Sequence, residues 1–185
     1  MVWVIVVIVI LIGLALAAIW FYNNLVRLRN RVDNAWAQVE VQLKRRWDLI
    51  PNLVETVKGY AAHERNVLEA VTQARADALQ ARGVHDTQAA EAKVSAALAD
   101  LRAVAENYPA LRATENFQRL QADLTETEDE IQAARRIYNA NARTYNTRIQ
   151  IFPNSIVAGA GGFEAREYFE IETAAEREPV NVSFS

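Results

Sequence analysis

MVWVIVVIVILIGLALAAIWFY (Met1–Tyr22) contains no charged side chain. As a helix, a run of about 22 residues is ~33 Å long, which matches the hydrocarbon core of a bilayer. In lipid, backbone N–H and C=O groups find partners only within their own segment, so even a Val- and Ile-rich run is forced into a helix. Trp3 lies near one end, and Trp20, Phe21 and Tyr22 lie at the other. Amphipathic rings take these places at the two membrane–water boundaries. The competing reading is a cleaved secretion signal, because Ala15-Leu16-Ala17 resembles a cleavage site. Against it, no Lys or Arg precedes the apolar run, and the run is too long. Residues 1–22 are therefore expected to persist as a single transmembrane anchor. Gly13 and Ala17 form a small-xxx-small pair, the spacing at which helices pack closely in lipid.

Beyond the anchor, apolar residues recur at steps of three and four: Leu25, Leu28, Val32, Trp36, Val39, Leu43, Trp47, Ile50, Val54, Val57. This is the stripe of an amphipathic helix. It keeps its phase across Pro51, so one helix is predicted from the membrane to about residue 60, kinked at Pro51. A second helix is predicted from about Glu64 to Arg82, ended by Gly83 as a left-handed residue. A third runs from about residue 87 to Asn107, capped by Asp86 or Thr87 and stopped by Tyr108-Pro109. The last starts near Pro109 or Thr114 and reaches about Ile149, with Leu120, Leu124, Ile131, Ala134, Tyr138, Tyr145 and Ile149 on its buried stripe. The fold class is all-α: an anchor continuing into an antiparallel up-and-down four-helix bundle with long first and last helices. Residues 1–22 form the anchor, 23–150 the bundle, and 151–185 an apolar and then acidic tail. An even number of helices returns the chain after Ile149 toward the bilayer.

Charge excludes some classes of function. The formal net charge is −3, with no basic footprint for nucleic acid. Arg27, Arg29 and Arg31 follow the anchor. The positive-inside rule then places the bundle in the cytoplasm, where Arg27 and Arg29 reach lipid phosphates. Lys44, Arg45 and Arg46 lie about 33 Å further along a straight helix, beyond a Debye length of about 8 Å. They are expected to pair with carboxylates of a neighbouring helix, or locally with Asp48.

Chemistry-bearing sets are lacking. There is no cysteine. His63-Glu64 starts an H-E-x-x-H motif, but Val67 stands where the second His belongs, and His85 sits in a predicted loop. No serine lies in a G-x-S-x-G elbow. No catalytic residue, metal site or cofactor is expected.

Two stretches resemble the LemA family of bacterial membrane-anchored helical proteins. They are DNAWAQVEVQLKRRWDLIPNLVETVKGYAAHE (Asp33–Glu64) and ARRIYNANARTYNTRIQIFPNSIVAGAGGFEAREYFE (Ala134–Glu170). The motifs RRxDLIPNLVxTVKGYxxHE and YNxxxxxYNxxIxxFP are long and distinctive. The resemblance implies a four-helix bundle on one N-terminal membrane helix in a bacterial membrane, and it implies no established enzymatic activity. Some relatives belong to specialised membrane organelles, and some are encoded near a membrane-embedded zinc protease.

Within the second motif, Tyr138-Asn139 and Tyr145-Asn146 repeat at a spacing of seven and share one helix face. They read either as a polar binding surface or as interior rings whose amides fix register. The second reading is favoured, because buried polar groups commonly specify packing. The tail, FPNSIVAGAGGF (Phe152–Phe163) and then AREYFEIETAAEREP, is apolar, flexible and then acidic. Ile156, Val157, Phe163, Tyr168 and Phe169 would form a sticky patch in water, and Phe152, Pro153, Ile156, Phe163, Tyr168 and Phe169 are the candidate oligomer or membrane contacts. The bundle, the bilayer and a neighbouring subunit are its three outlets. The expected function is a non-enzymatic membrane scaffold that self-assembles. The alternative is an adaptor for another membrane protein, such as a membrane protease or an envelope-stress component.

Overall fold

The computed structural model describes residues 1–170; its regular elements are all helices, with no strand among the described residues. Six helices follow one another: α1 (Val2–Lys58), α2 (Arg65–Gln80), α3 (Gly83–Glu106), α4 (Pro109–Arg112), α5 (Glu115–Gln150) and α6 (Asn154–Ala160). The chain divides into two compact units. One comprises Met1–Val39 and Arg136–Tyr168; the other comprises Glu40–Arg135, together with Phe169 and Glu170 of the described chain.

In the first unit, every residue from Met1 to Trp20 is exposed. Burial begins at Leu25, which is fully covered, and continues at Val32 and Val39 on the predicted stripe and at Ala35 beside it. Tyr138, Ala142 and Tyr145 form the buried line of α5. The segment after Ile149 is more ordered than the sequence suggests. It folds into α6 and closes with a turn in which the Phe163 N–H donates to the Ala158 carbonyl at 3.0 Å. Gly162 takes φ +65° there, the left-handed residue such a helix end calls for. A Cβ on Gly161 would lie 2.7 Å from the Phe163 ring, so both glycines are needed to seat that ring. The acidic residues Glu172, Glu176 and Glu178 lie outside the described residues.

The second unit is built from the rest of α1, from α2, α3 and α4, and from the first part of α5. α2 packs on α3. Leu68, Val71, Ala74 and Ala78 are buried from the first helix, and Ala90, Val94, Ala97, Leu98 and Leu101 from the second. The many alanines allow close approach of the two backbones. Gly83 is left-handed as expected (φ +74°), but it opens α3 and does not close α2. Helix α3 therefore starts four residues earlier than the capping residues suggest: Asp86 sits in its first turn and Thr87 is buried. The last long helix is preceded by a separate turn, α4. Thr114 caps the restart, its hydroxyl accepting from the Phe117 N–H at 3.4 Å.

α1 passes through Pro51 without ending. Proline has no N–H, so the carbonyl of Trp47, one turn earlier, loses its helical partner. Arg75 of α2 supplies the replacement: its Nε donates to the Trp47 carbonyl at 2.8 Å. Replacing Arg75 by Met is expected to lower stability in urea unfolding by about 1–3 kcal/mol, the cost of stranding that carbonyl. In a Pro51→Ala background the same change is expected to cost far less, because the new N–H at position 51 takes the carbonyl instead.

Candidate functional site

Three features of the described chain stand apart from plain apolar packing. The first is a polar ladder in the first unit. The Tyr138 hydroxyl donates to the Glu167 carbonyl at 2.7 Å. Burial pushes its phenol up to about 12, against the pull of the Arg166 guanidinium. Burial also raises the Tyr145 phenol. Asn146 grips one residue twice: its Nδ2 donates to the Arg166 carbonyl and its Oδ1 accepts from the Arg166 N–H, each at 2.8 Å. The Arg166 guanidinium then donates to Asp33 Oδ1 at 3.0 Å. Tyr138 and Tyr145 thus fill the interior. The Asn146 amide fixes the extended segment beyond Phe163. Asn139 is half-buried.

The second feature is an ion cluster in the second unit. Arg46 is almost fully buried. Its Nη1 donates to Glu128 Oε2 and its Nη2 to Ser95 Oγ, each at 2.8 Å. Glu91, with no exposure at all, places Oε2 3.4 Å from Arg46 Nη1, while its Oε1 accepts from the Trp47 indole N–H. The expected cross-helix pairing of the Lys44–Arg46 run is seen at Arg46 and, on the surface, at Arg45 with Glu126 (3.2 Å). Asp48 instead lies 4.0 Å from Arg75. Glu91 was missed by the sequence reading, although a signal exists. It falls in register with Thr87, Val94, Leu98 and Leu101, a carboxylate on an apolar stripe.

The third feature is apolar exposure. Trp3, Trp20 and Tyr22 are exposed along the N-terminal run, and a Cβ on Gly13 would meet nothing within 4 Å. Arg27 is exposed and Arg29 lies with its guanidinium carbon 5.4 Å from the centre of the Phe163 ring. Of the candidate oligomer or membrane contacts, Phe163 and Phe169 are buried within the chain and Pro153 is half-buried. Phe163 packs edge-on to Tyr22 at 5.4 Å between ring centres. Phe152, Ile156 and Tyr168 remain exposed. Among the described residues no three side chains converge as metal ligands. His63 and His85 are both exposed.

These observations define a class: an all-helical protein whose N-terminal helix is long and apolar enough to cross a membrane and is uncovered over that length. The chain belongs to the LemA family, whose match covers residues 35–184. It is similar to magnetosome protein MamQ 2 of Paramagnetospirillum magneticum, at 27% identity over 181 residues, covering 84% of this chain and 66% of that protein. Magnetosome protein MamQ of Magnetospirillum gryphiswaldense matches at 26% identity with the same coverage. Protein LemA of Metamycoplasma hominis is 30% identical over 138 residues, covering 74% of this chain and 63% of that protein. The chain thus spans about two thirds of the length of the curated relatives it matches.

Two outcomes follow from the clusters. Asn146→Ala removes both bonds to Arg166 and is expected to cost about 2 kcal/mol, with faster proteolysis just beyond Phe163. For Glu91, burial holds the carboxyl above the usual carboxylate range, while Arg46 and Trp47 pull it down and the charge of Glu128 adds to the rise. The native chain then binds this proton more tightly than the unfolded one. The resulting stability is fully present below the ordinary value of about 4.3 and is lost as pH rises through the raised one. Urea midpoints followed upward from that pH are expected to fall less steeply for Glu91→Gln than for the wild type.

Proposed function

We propose that this protein is a non-enzymatic scaffold held in a bacterial membrane by residues 1–22, which assembles with copies of itself on the bilayer. The observation that carries the reading is α1. One helix passes without a break from twenty exposed, uncharged positions into a stretch that buries one face, at Leu25, Val32, Ala35 and Val39. Such a helix transmits the position of the bilayer to the folded part rigidly, as a flexible linker would not. The helices of the second unit are read as an antiparallel up-and-down four-helix bundle with coiled-coil-like packing. The arginines after Tyr22 favour a cytoplasmic location for the folded part. No basic footprint supports nucleic acid as a partner. Gly13 and Ala17 offer a face for helix contact in lipid. Membership of the LemA family and the matches to MamQ and LemA proteins support a membrane-associated, non-enzymatic role.

The adaptor reading has its own supporting observation. An open groove of about 1110 Å³ lies between the end of α1 and α2, lined by Val54, Lys58, Arg65, Leu68, Glu69 and Thr72 among others. Its mixed apolar and charged lining suits a segment of another membrane protein.

Light scattering and electron microscopy of the full-length chain in mild detergent decide between the two. The scaffold reading expects a large, regular particle. A strict monomer would refute it and leave the groove as the working surface.

A further inference from the structure

The chain around α6 carries a second apolar surface. From Ile149 through Phe163 no residue is charged. Yet Phe152 is 79% exposed and Ile156 is 65% exposed, with Ile151 beside them at 42%. Adjacent large apolar side chains left in the open mark a contact surface.

Contacts within the first unit give the level of this surface along α1. Trp36 meets Tyr138 at 5.3 Å between ring centres. Asp33 meets Arg166, whose backbone is held by Asn146. Tyr22 meets Phe163. Contacts thus step toward the N-terminus of α1 as they step toward the C-terminus of α5. Trp36 to Tyr22 is about 21 Å and Tyr138 to Gln150 about 18 Å, at ~1.5 Å per residue. The end of α5 therefore comes within one turn of the level of Tyr22, and the loop after α6 closes onto Tyr22 itself. That residue ends the apolar N-terminal run, and Leu25 is the first fully buried position beyond it.

We propose that Phe152 and Ile156 insert into the lipid leaflet that Trp20 and Tyr22 border, making the α6 segment a second, interfacial membrane contact. This rests on residues 1–22 being the anchor. The helix has seven residues, far too few to span a bilayer, but its apolar side chains suit the boundary between headgroups and acyl chains. The occupant is lipid because the patch adjoins the anchor at the anchor's own boundary. It also lies in an uncharged stretch, with Arg148 and Glu164 only at its two flanks. Arg29, against the Phe163 ring, sits where a lipid phosphate would be. Two contacts restrain tilt, which a lone spanning helix leaves loose.

The chain has no cysteine, so one introduced thiol takes a label uniquely. Full-length Ile156→Cys, Ile12→Cys and Ile137→Cys variants, each carrying an environment-sensitive fluorophore, are reconstituted into phosphatidylcholine–phosphatidylglycerol vesicles. The lipids are brominated at a shallow or a deep acyl position. The label at 156 is expected to lose most of its emission to shallow bromines and the label at 12 to deep ones. The label at 137, exposed on α5 beside Tyr138, is expected to keep its emission. Emission at 156 matching that at 137, with 12 quenched, would overturn the interfacial contact and leave the anchor standing. An unquenched label at 12 would overturn both readings. A label at 156 shielded from aqueous iodide yet untouched by bromines would overturn the lipid contact in favour of a second copy.

Discussion

Every carbonyl of a long helix needs a partner, and α1 meets that demand over its whole length, from Val2 to Lys58. For a segment in lipid the demand is absolute, because water cannot substitute. The same continuous ladder then reaches Pro51, where the chain itself withholds a donor. Arg75 restores the bond from α2, which makes the second helix part of the first one's backbone chemistry and not only a packing neighbour. An ion pair with Asp48 at 4.0 Å is looser and half in solvent, so the carbonyl bond is the stronger reason for an arginine here.

The two units each place a polar group where an apolar one would pack at less cost. Glu91 lies on the buried stripe of α3 and faces Arg46, which also holds Ser95 of α3 and Glu128 of α5. Desolvating such a pair costs several kcal/mol, and its attraction returns that only with good geometry. What the arrangement gives is register. One guanidinium has to reach three partners, and a slip of one residue along α1 or α5 would break the set. Asn146 does the same for an irregular segment, because only one residue presents its N–H and C=O to the amide together.

Much of the architecture was legible from periodicity alone. The three-and-four spacing from Leu25 to Val57 located α1 to within two residues of its end, and the stripe through Ile131, Tyr138 and Tyr145 located α5. Ends marked by turn chemistry were read less well. Gly83 has the left-handed conformation its type suggests, but α3 begins at that residue, so Thr87 became a core side chain instead of a cap. The order of the segment after Ile149 was hard to read for a related reason. A sequence rich in glycine and without an amphipathic period looks flexible, whereas α6 and the turn after it are held by tertiary contacts of Phe163 and Arg166 that no local pattern encodes.

The aromatic residues at the boundary show how one position serves two constraints. Tyr22 closes the apolar run, where a ring with a polar edge suits the membrane interface. The same ring supports Phe163, which the turn at Gly161 and Gly162 holds in place. Arg29 lies against the other aromatic partner, adding a cation–π contact of about 0.5–1 kcal/mol at a partly exposed site. The end of the apolar run, the start of the buried core and the return of the chain from α5 therefore meet at one level of α1. A bilayer boundary placed there would cover the apolar side chains that the fold itself leaves bare.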